Sequence, residues 1–308
     1  MTAWPYFDPA AVEAAPPPSD PLTPRERDVY VFGADERIVL AVNVAMATRR
    51  PLLIYGPPGC GKSSLAPNVA RILRWRYYEE VISSRTEAQD LLWTFDAVRR
   101  LGDAQAGGEF AEDNDYTEPG VIWWAFDRES ARRQGGTEQF QDPGAGLAGP
   151  AVVLLDEIDK ADPDLPNNLL LPLGGYRFAH ADSWIEAPAD GAPLVVITTN
   201  DERDLSRPFL RRCVVLTLPH PRVPELVQIA VAHLGAEAGE GGLYQAVAEL
   251  VDGMRPEAVR QRMPVPSTAE YLDTLRACLR LHLTPDDPRW EQMIRITLDK
   301  RNATESLA

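Results

Sequence analysis

The chain has 308 residues, enough to bury one large core, or one core with a small satellite domain. Apolar residues make up 44% and charged residues 25%, as in ordinary soluble proteins. No apolar run reaches bilayer-spanning length, and the start lacks the basic-then-apolar order of a signal peptide. The formal net charge of −15 opposes binding to phosphate backbones, so it argues against a nucleic-acid motor and for a protein partner.

A cytoplasmic location without membrane insertion is expected on these grounds. The three cysteines, Cys60, Cys213 and Cys278, are scattered and odd in number, which indicates neither a disulfide framework nor a zinc site. Four dispersed histidines indicate no metal cluster.

Residues 1–28 are rich in Pro and Ala, include Pro16-Pro17-Pro18, and are predicted to be extended. Trp4, Tyr6 and Phe7 could pin the start of this stretch to a surface. A helix is predicted from Asp35 to Thr48, with Ile38, Val39, Val42 and Ala45 on one side. The apolar run Leu52-Leu53-Ile54-Tyr55 then reads as a buried strand.

Gly56-Pro57-Pro58-Gly59-Cys60-Gly61-Lys62-Ser63 follows and fits G-x-x-x-x-G-K-[ST] at every position. Leu65, Ala66, Val69, Ala70, Ile72 and Leu73 recur after it at helical spacing. Strand, tight loop and helix together are the setting a phosphate-binding loop needs. Glycines let backbone N–H groups turn toward phosphates, and the helix N-terminus adds partial positive charge. Lys62 is placed to reach the β- and γ-phosphates of a nucleoside triphosphate, and Ser63 to ligate Mg²⁺. Cys60 reads as structural, with redox sensitivity as the alternative. Pro67 falls inside this helix, where a proline costs about 3 kcal/mol, and a kink or irregularity over Ser63–Pro67 is expected.

Tyr77 to Ile82 reads as a second strand. Thr86 with Gln89 has the form of a capping box, which predicts a helix with Leu91, Leu92, Phe95 and Val98 on its apolar face. From Gly102 to Glu118 the pattern dissolves into a Gly-rich, acidic loop, either functional or disordered and expected to be mobile. Order returns at Pro119-Gly120 and Val121-Ile122-Trp123-Trp124-Ala125-Phe126. The tryptophan pair is expected in the core, with a substrate contact as the alternative. A second Gly-rich connection spans Gln134 to Gly149.

Val152-Val153-Leu154-Leu155-Asp156-Glu157 is a buried, parallel-type strand ending in two acids. Beside a phosphate loop, Asp156 is expected to hold Mg²⁺ through water and Glu157 to act as general base on the attacking water. Asn167 to Leu173 reads as a short helix and Tyr176 to Pro193 as a hairpin. Leu194 to Asn200 is another buried strand with a polar end. Should it lie between the two motif strands, Asn200 would face the γ-phosphate and orient the water. Arg211-Arg212 precede a last strand, Cys213 to Leu218.

A smaller helical unit is predicted from about His220. Leu226, Ile229 and Ala230 start it, and Leu243, Ala246, Val247, Leu250, Val251 and Met254 form one apolar stripe. Ser267 with Glu270 makes a capping box for a helix carrying Leu272, Leu275 and Leu279. Asp287, followed by Pro288, is expected to cap a last helix with Trp290, Met293, Ile294 and Leu298.

This succession resembles an AAA+ ATPase. Gly56-Pro57-Pro58-Gly59, Leu155 through Ala161, Thr199 through Leu205, Phe209 through Cys213, the Pro119–Phe126 stretch and Pro266 through Glu270 are similar to the MoxR branch. The resemblance implies an α/β P-loop NTPase: an αβα sandwich on a parallel sheet over 29–219, a small all-helical lid over 220–308, and an extended segment over 1–28. It implies ATP and Mg²⁺ as cofactors, with Ser63 and Asp156 toward the metal and Gly56 through Ser64 toward ATP. Asn200 becomes sensor 1, and Arg211 and Arg212 become finger candidates reaching a neighbour's γ-phosphate. MoxR-type proteins are chaperone-like remodelling ATPases, usually rings, often beside von Willebrand factor A-domain proteins, and a homo-oligomeric ring, a hexamer, is the expectation. The first turn after Ser267 has no arginine for sensor 2; Arg262 is the nearest upstream candidate. Pro67 and Pro172 also interrupt helices that are regular in the family. A slow or non-hydrolysing nucleotide-dependent switch and the motor subunit of a nucleic-acid-directed complex are the alternative readings.

Overall fold

A computed structural model describes residues 6–11, 29–33, 36–105, 116–134, 147, 149–236 and 242–298. The Pro/Ala-rich stretch over 12–28, the centre of the acidic loop over 106–115 and most of the connection over 135–148 lie outside the described residues. The chain divides into two compact units. One comprises Met1–Val12, Asp35–Tyr55 and Ala66–Thr217, the other Glu13–Ala34, Gly56–Leu65 and Leu218–Ala308.

In chain order the elements up to Thr217 begin with α1 (Glu36–Thr48), β1 (Leu52–Tyr55), α2 (Lys62–Leu73) and β2 (Arg76–Val81). β3 (Trp93–Phe95), α3 (Ala97–Gln105), β4 (Thr117–Pro119), α4 (Val121–Phe126), α5 (Arg128–Gln134) and β5 (Ala151–Asp156) follow. A 3-10 turn over Ile158–Lys160 leads to α6 (Asp164–Asn168), α7 (Leu170–Gly175), β6 (Arg177–His180) and β7 (Ser183–Glu186), then β8 (Leu194–Thr199), α8 (Arg207–Leu210) and β9 (Val214–Thr217).

The first unit is built on a five-stranded sheet in the order β2-β5-β8-β1-β9, with every pair parallel. Parallel neighbours require crossovers, so helices cover both faces and the central strands are apolar throughout. β5 and β8 are accordingly buried at every residue, and Leu154 pairs with Val196. β9, at the edge, keeps Leu216 buried and leaves Val215 half exposed. β8 lies between β5 and β1, the placement on which the sequence-based role of Asn200 depended.

Leu53, Tyr78, Leu155 and Ile197 share one core with Trp123, Phe126, Phe178 and Phe209. Both tryptophans of α4 are buried, as expected of core residues, and Trp123 donates its Nε1–H to Ser130 Oγ at 2.6 Å. Phe7 is also fully buried. Its N–H donates to Asn43 Oδ1 at 2.8 Å and its carbonyl accepts from Asn43 Nδ2 at 2.9 Å, which pins this part of the N-terminal segment to α1. Tyr6 is exposed.

Two predicted helix starts are corrected. No helix begins at Thr86. Its Oγ1 accepts the Ser83 N–H at 3.0 Å and Asp90 accepts the Glu87 N–H at 2.8 Å, so this stretch is a series of turns. Trp93–Phe95 then pairs antiparallel with Thr117–Pro119, and the helix starts only at Ala97, where Asp96 accepts the Arg99 N–H at 2.8 Å. Side-chain oxygens that cap helices also close turns, and a distant strand partner decided between the two. Near the other end, the Asp287 carboxylate accepts the Arg289 N–H at 2.8 Å and pairs with its guanidinium, and the last helix begins at Trp290. Pro67 does not interrupt α2, which runs unbroken from Lys62 to Leu73. Burial of Leu65, Ala66, Val69 and Ala70 offsets the missing hydrogen bond.

The second unit contains α9 (Val223–Leu234), α10 (Leu243–Gln261), α11 (Thr268–Leu281) and α12 (Trp290–Thr297). Leu226, Ala230, Val247, Val251, Tyr271 and Leu275 form its separate core. The capping box at α11 is present: Ser267 Oγ accepts the Glu270 N–H at 3.3 Å, and Glu270 Oε2 accepts the Ser267 N–H at 2.9 Å. No described helix is long and apolar enough to cross a membrane.

Candidate functional site

Parallel pairing brings the C-terminal ends of β5 and β8 to the same edge of the sheet, with Leu155 opposite Ile197. The next residues are therefore neighbours. Thr198 Oγ1 donates to Asp156 Oδ1 and accepts the Glu157 N–H at 2.9 Å, tying both acids to β8. Glu157 itself adopts a left-handed conformation, φ +62°, which turns the chain sharply off the strand. Its carboxylate lies between two donors: Lys160 Nζ is 2.5 Å from Oε2 and Asn200 Nδ2 is 3.4 Å from Oε1. The Lys160 ammonium is held above its ordinary pKa by that hydrogen bond.

Asp159 is buried beneath this group. Its Oδ2 accepts the N–H groups of Asn200 at 3.1 Å and Glu202 at 3.0 Å, while Oδ1 is buried without a hydrogen-bond partner. At the end of β1, burial first and then the nearby acids Asp201, Asp204 and Asp159 push the Tyr55 phenol up. This end of the sheet is thus rich in negative charge and hard oxygen donors, which suits Mg²⁺ better than a soft metal.

The chain passes from β1 directly into the glycine-rich loop. Gly59 and Gly61 hold φ of +70° and +99°, conformations that other residues adopt only with strain. Lys62 is buried and donates to the carbonyls of Gly56 at 2.7 Å and Pro57 at 2.9 Å. Cys60 is also buried, and burial pushes its thiol pKa up against the opposing pull of Lys62, which fits the structural reading of that residue. Ser63 and Ser64 sit in the first turn of α2. Left-handed glycines, a lysine folded over the loop and a twelve-residue helix behind it fit the phosphates of a nucleotide.

Of the residues singled out in the sequence, Asp156, Glu157 and Asn200 are brought together, and Gly56 through Ser64 form the loop and helix start. Arg211 and Arg212 are elsewhere. They are exposed in the turn between α8 and β9, where Arg50 donates to both of their carbonyls. In a parallel sheet this N-terminal end of β9 is opposite the strand ends that carry Asp156 and Asn200. Arg262 is exposed at the C-terminal cap of α10.

Sequence reasoning missed Thr198, Asp159 and Lys160. A signal existed for Thr198, which stands two residues before Asn200 and so shares its side of the strand.

The AAA domain of the dynein-related subfamily matches residues 51–213, from the entry to β1 up to the start of β9. The chain is 30% identical over 217 residues to the Lon protease of Heliobacterium modesticaldum, covering 66% of this chain and 22% of that one. It is 28% identical over 210 residues to Lon protease 2 of Borreliella burgdorferi, covering 64% and 22%. The mitochondrial Lon protease homolog of Yarrowia lipolytica is 25% identical over 210 residues, covering 67% and 15%. This chain therefore spans about a fifth of the length of the relatives it matches. The matched span holds the phosphate loop, the Asp156-Glu157 strand end and Asn200 in the sheet order described above, and on that basis the chain belongs to the dynein-related AAA family of AAA+ P-loop NTPases.

Proposed function

We propose that this chain is a MoxR-like AAA+ ATPase that couples Mg-ATP binding and hydrolysis to the remodelling or assembly of a protein partner. The observation that carries the reading is the Glu157 carboxylate fixed within reach of the Asn200 amide at the strand end that also bears Asp156. Lys62 and the loop N–H groups bind the β- and γ-phosphates. Ser63 and Asp156 hold Mg²⁺, which when bound neutralises charge on the phosphate oxygens. Glu157 takes the proton of the attacking water while Asn200 orients that water. Arg211 and Arg212, remote from the Asp156 end of their own sheet, serve a neighbouring subunit in a homo-oligomeric ring, a hexamer.

On this reading residues 29–219 form the ATP-binding core, 220–308 a helical lid with Arg262 as its sensor-2 candidate, and 1–28 an extended segment, in a cytoplasmic protein. The negative net charge favours a protein partner over nucleic acid. The relatives are named as proteases, which supports a protein as the substrate. A von Willebrand factor A-domain protein is the partner class proposed. A second reading is a slow nucleotide-dependent switch, favoured by the Lys160 ammonium that already engages Glu157.

Phosphate release with and without added ATP-state partners separates the two. The partners are found by purifying Glu157→Gln with ATP and identifying the proteins that remain bound. Turnover by wild type that Lys62→Ala lacks supports the ATPase. Nucleotide binding without turnover, in the presence of the captured partner, supports the switch. Absence of nucleotide binding overturns both.

A further inference from the structure

Within the second unit, two separate segments press on the phosphate loop. The first leaves the sheet at Leu218: a Cβ built on Gly56 would stand 2.5 Å from the Leu218 carbonyl oxygen, so that backbone closes directly over the start of the loop. The second is the N-terminus of α11. The Thr268 N–H donates to the Gly59 carbonyl at 3.2 Å, and a Cβ on Gly59 would lie 2.4 Å from Ser267 Cβ. A single side chain joins the two segments. Arg255, on α10, donates Nη1–H to the Pro221 carbonyl, three residues after Leu218, and Nε–H to the Pro266 carbonyl at 3.3 Å, one residue before Ser267.

Arg255 is 7% exposed, an expensive place for a guanidinium. Its one carboxylate neighbour among the described residues is Asp252 at 3.6 Å, and its Nη2 is buried without a hydrogen-bond partner. A buried cation held mainly by two carbonyls contributes little net stability and needs another reason to be there. Its surroundings supply one. His220, beside Pro221, is pushed down to about 4, by burial first and then by the cations Arg255 and Lys62, so the two cations act on one imidazole. Arg255 therefore belongs to the charge environment of the phosphate-loop lysine.

We propose that Arg255 is a positioning residue for the nucleotide: a two-point strut that holds the 218–221 and 266–268 segments against Gly56 and Gly59 and so fixes the phosphate loop in its binding shape. It acts through the backbone of those segments and touches no phosphate. The proposal rests on the reading of the loop as an ATP site.

The test is a double-mutant cycle on the full chain, with a fluorescent ATP analogue titrated at constant Mg²⁺. Arg255→Lys keeps the charge and stem but offers no planar pair of donors for two carbonyls. Thr268→Pro removes the N–H that bonds Gly59, at the first position of α11, where helices favour proline. Each variant is expected to weaken binding about threefold to tenfold, the worth of one hydrogen bond. The double variant is expected to bind no more weakly than Arg255→Lys alone, because Thr268→Pro removes one of the two contacts that the arginine change already releases. Thermal midpoints without nucleotide are measured alongside, and affinities are compared at a temperature where every variant is folded.

Wild-type affinity in either single variant, with binding abolished in Lys62→Ala, overturns the strut and leaves the ATP reading intact. Multiplying effects overturn it as well, since Arg255 would then act by another route. Unchanged binding in Lys62→Ala overturns the ATP reading itself. Should Arg255→Lys fail to fold, the cycle runs with Arg255→Gln, and wild-type affinity in Thr268→Pro alone is enough to reject the proposal.

Discussion

Lys160 Nζ lies 2.5 Å from Glu157 Oε2, across a single 3-10 turn. The pair is partly exposed, so its worth is on the order of 1 kcal/mol at most. The proposed base is thus restrained by a weak contact. Lys160→Met should free Glu157 and raise basal phosphate release by no more than about fivefold. A fall in turnover would mean that Lys160 supports the base instead.

Glu157→Gln keeps the size of the side chain and its contact with Asn200 but removes the proton acceptor. Nucleotide binding should persist and turnover should drop by about 10² to 10⁴, the usual contribution of general-base catalysis. Turnover equal to wild type would assign Glu157 a structural role.

Thr198 is fully buried and ties Asp156 and the Glu157 N–H to β8 through one hydroxyl. Thr198→Val keeps the shape and leaves both partners short of a hydrogen bond, at a cost of about 1–3 kcal/mol in unfolding free energy. Because Asp156 is then less well fixed, the Mg²⁺ concentration for half-maximal turnover should rise. Denaturant titration and a Mg²⁺ titration check the two effects separately. A stability loss with an unchanged Mg²⁺ requirement would confine Thr198 to packing.

Arg211 and Arg212 lie at the opposite end of the sheet from Asp156 and Asn200. Replacing both with Ala should leave ATP binding intact and reduce hydrolysis, since a finger in trans contributes 10³ to 10⁵ in rate. A Lys62→Ala subunit has a dead loop and intact arginines, and the double-arginine variant has the reverse. Mixed oligomers should recover part of the activity that each lacks alone. Mixed assemblies that form and stay inactive would remove the arginines from the interface.

His220 is pushed down to about 4 from 6.5. Between those values the unfolded chain binds a proton that the folded chain refuses, so stability falls as pH drops from about 6.5 toward 4 and is whole above 6.5. His220→Gln should flatten that part of the stability–pH curve. Denaturant midpoints at pH 7 and pH 5 measure it, and an identical difference in variant and wild type would show that His220 carries none of the effect.

Much of this protein was determined by local chemistry. The phosphate loop, its lysine, the apolar strands ending in Asp156 and Asn200 and the Ser267 capping box are short-range patterns, and each occupies the element its sequence predicted. At Thr86 the local pattern failed for a tertiary reason: its cap-forming side chain closes a turn, because strand pairing over 93–95 with 117–119 decided the outcome. At Asp287 a competing local contact decided it, since the carboxylate closes a turn onto Arg289 two residues on.

The candidate site was only partly legible. Asp156, Glu157 and Asn200 announce themselves as polar ends of apolar runs. Asp159 and Thr198 acquire meaning only when β5 and β8 lie side by side, since each reaches a residue more than forty positions away in the chain. Arg255 shows the same limit: an arginine in a helix reads as surface until folding buries it between two carbonyls from opposite sides of its own helix in sequence. Sequence by itself determined which chemical groups the chain carries and where its strands end, because strands and loops follow local pattern. Only the tertiary structure decided which groups meet, because hydrogen bonds across parallel strands and between distant segments depend on sheet order, and no local periodicity encodes that.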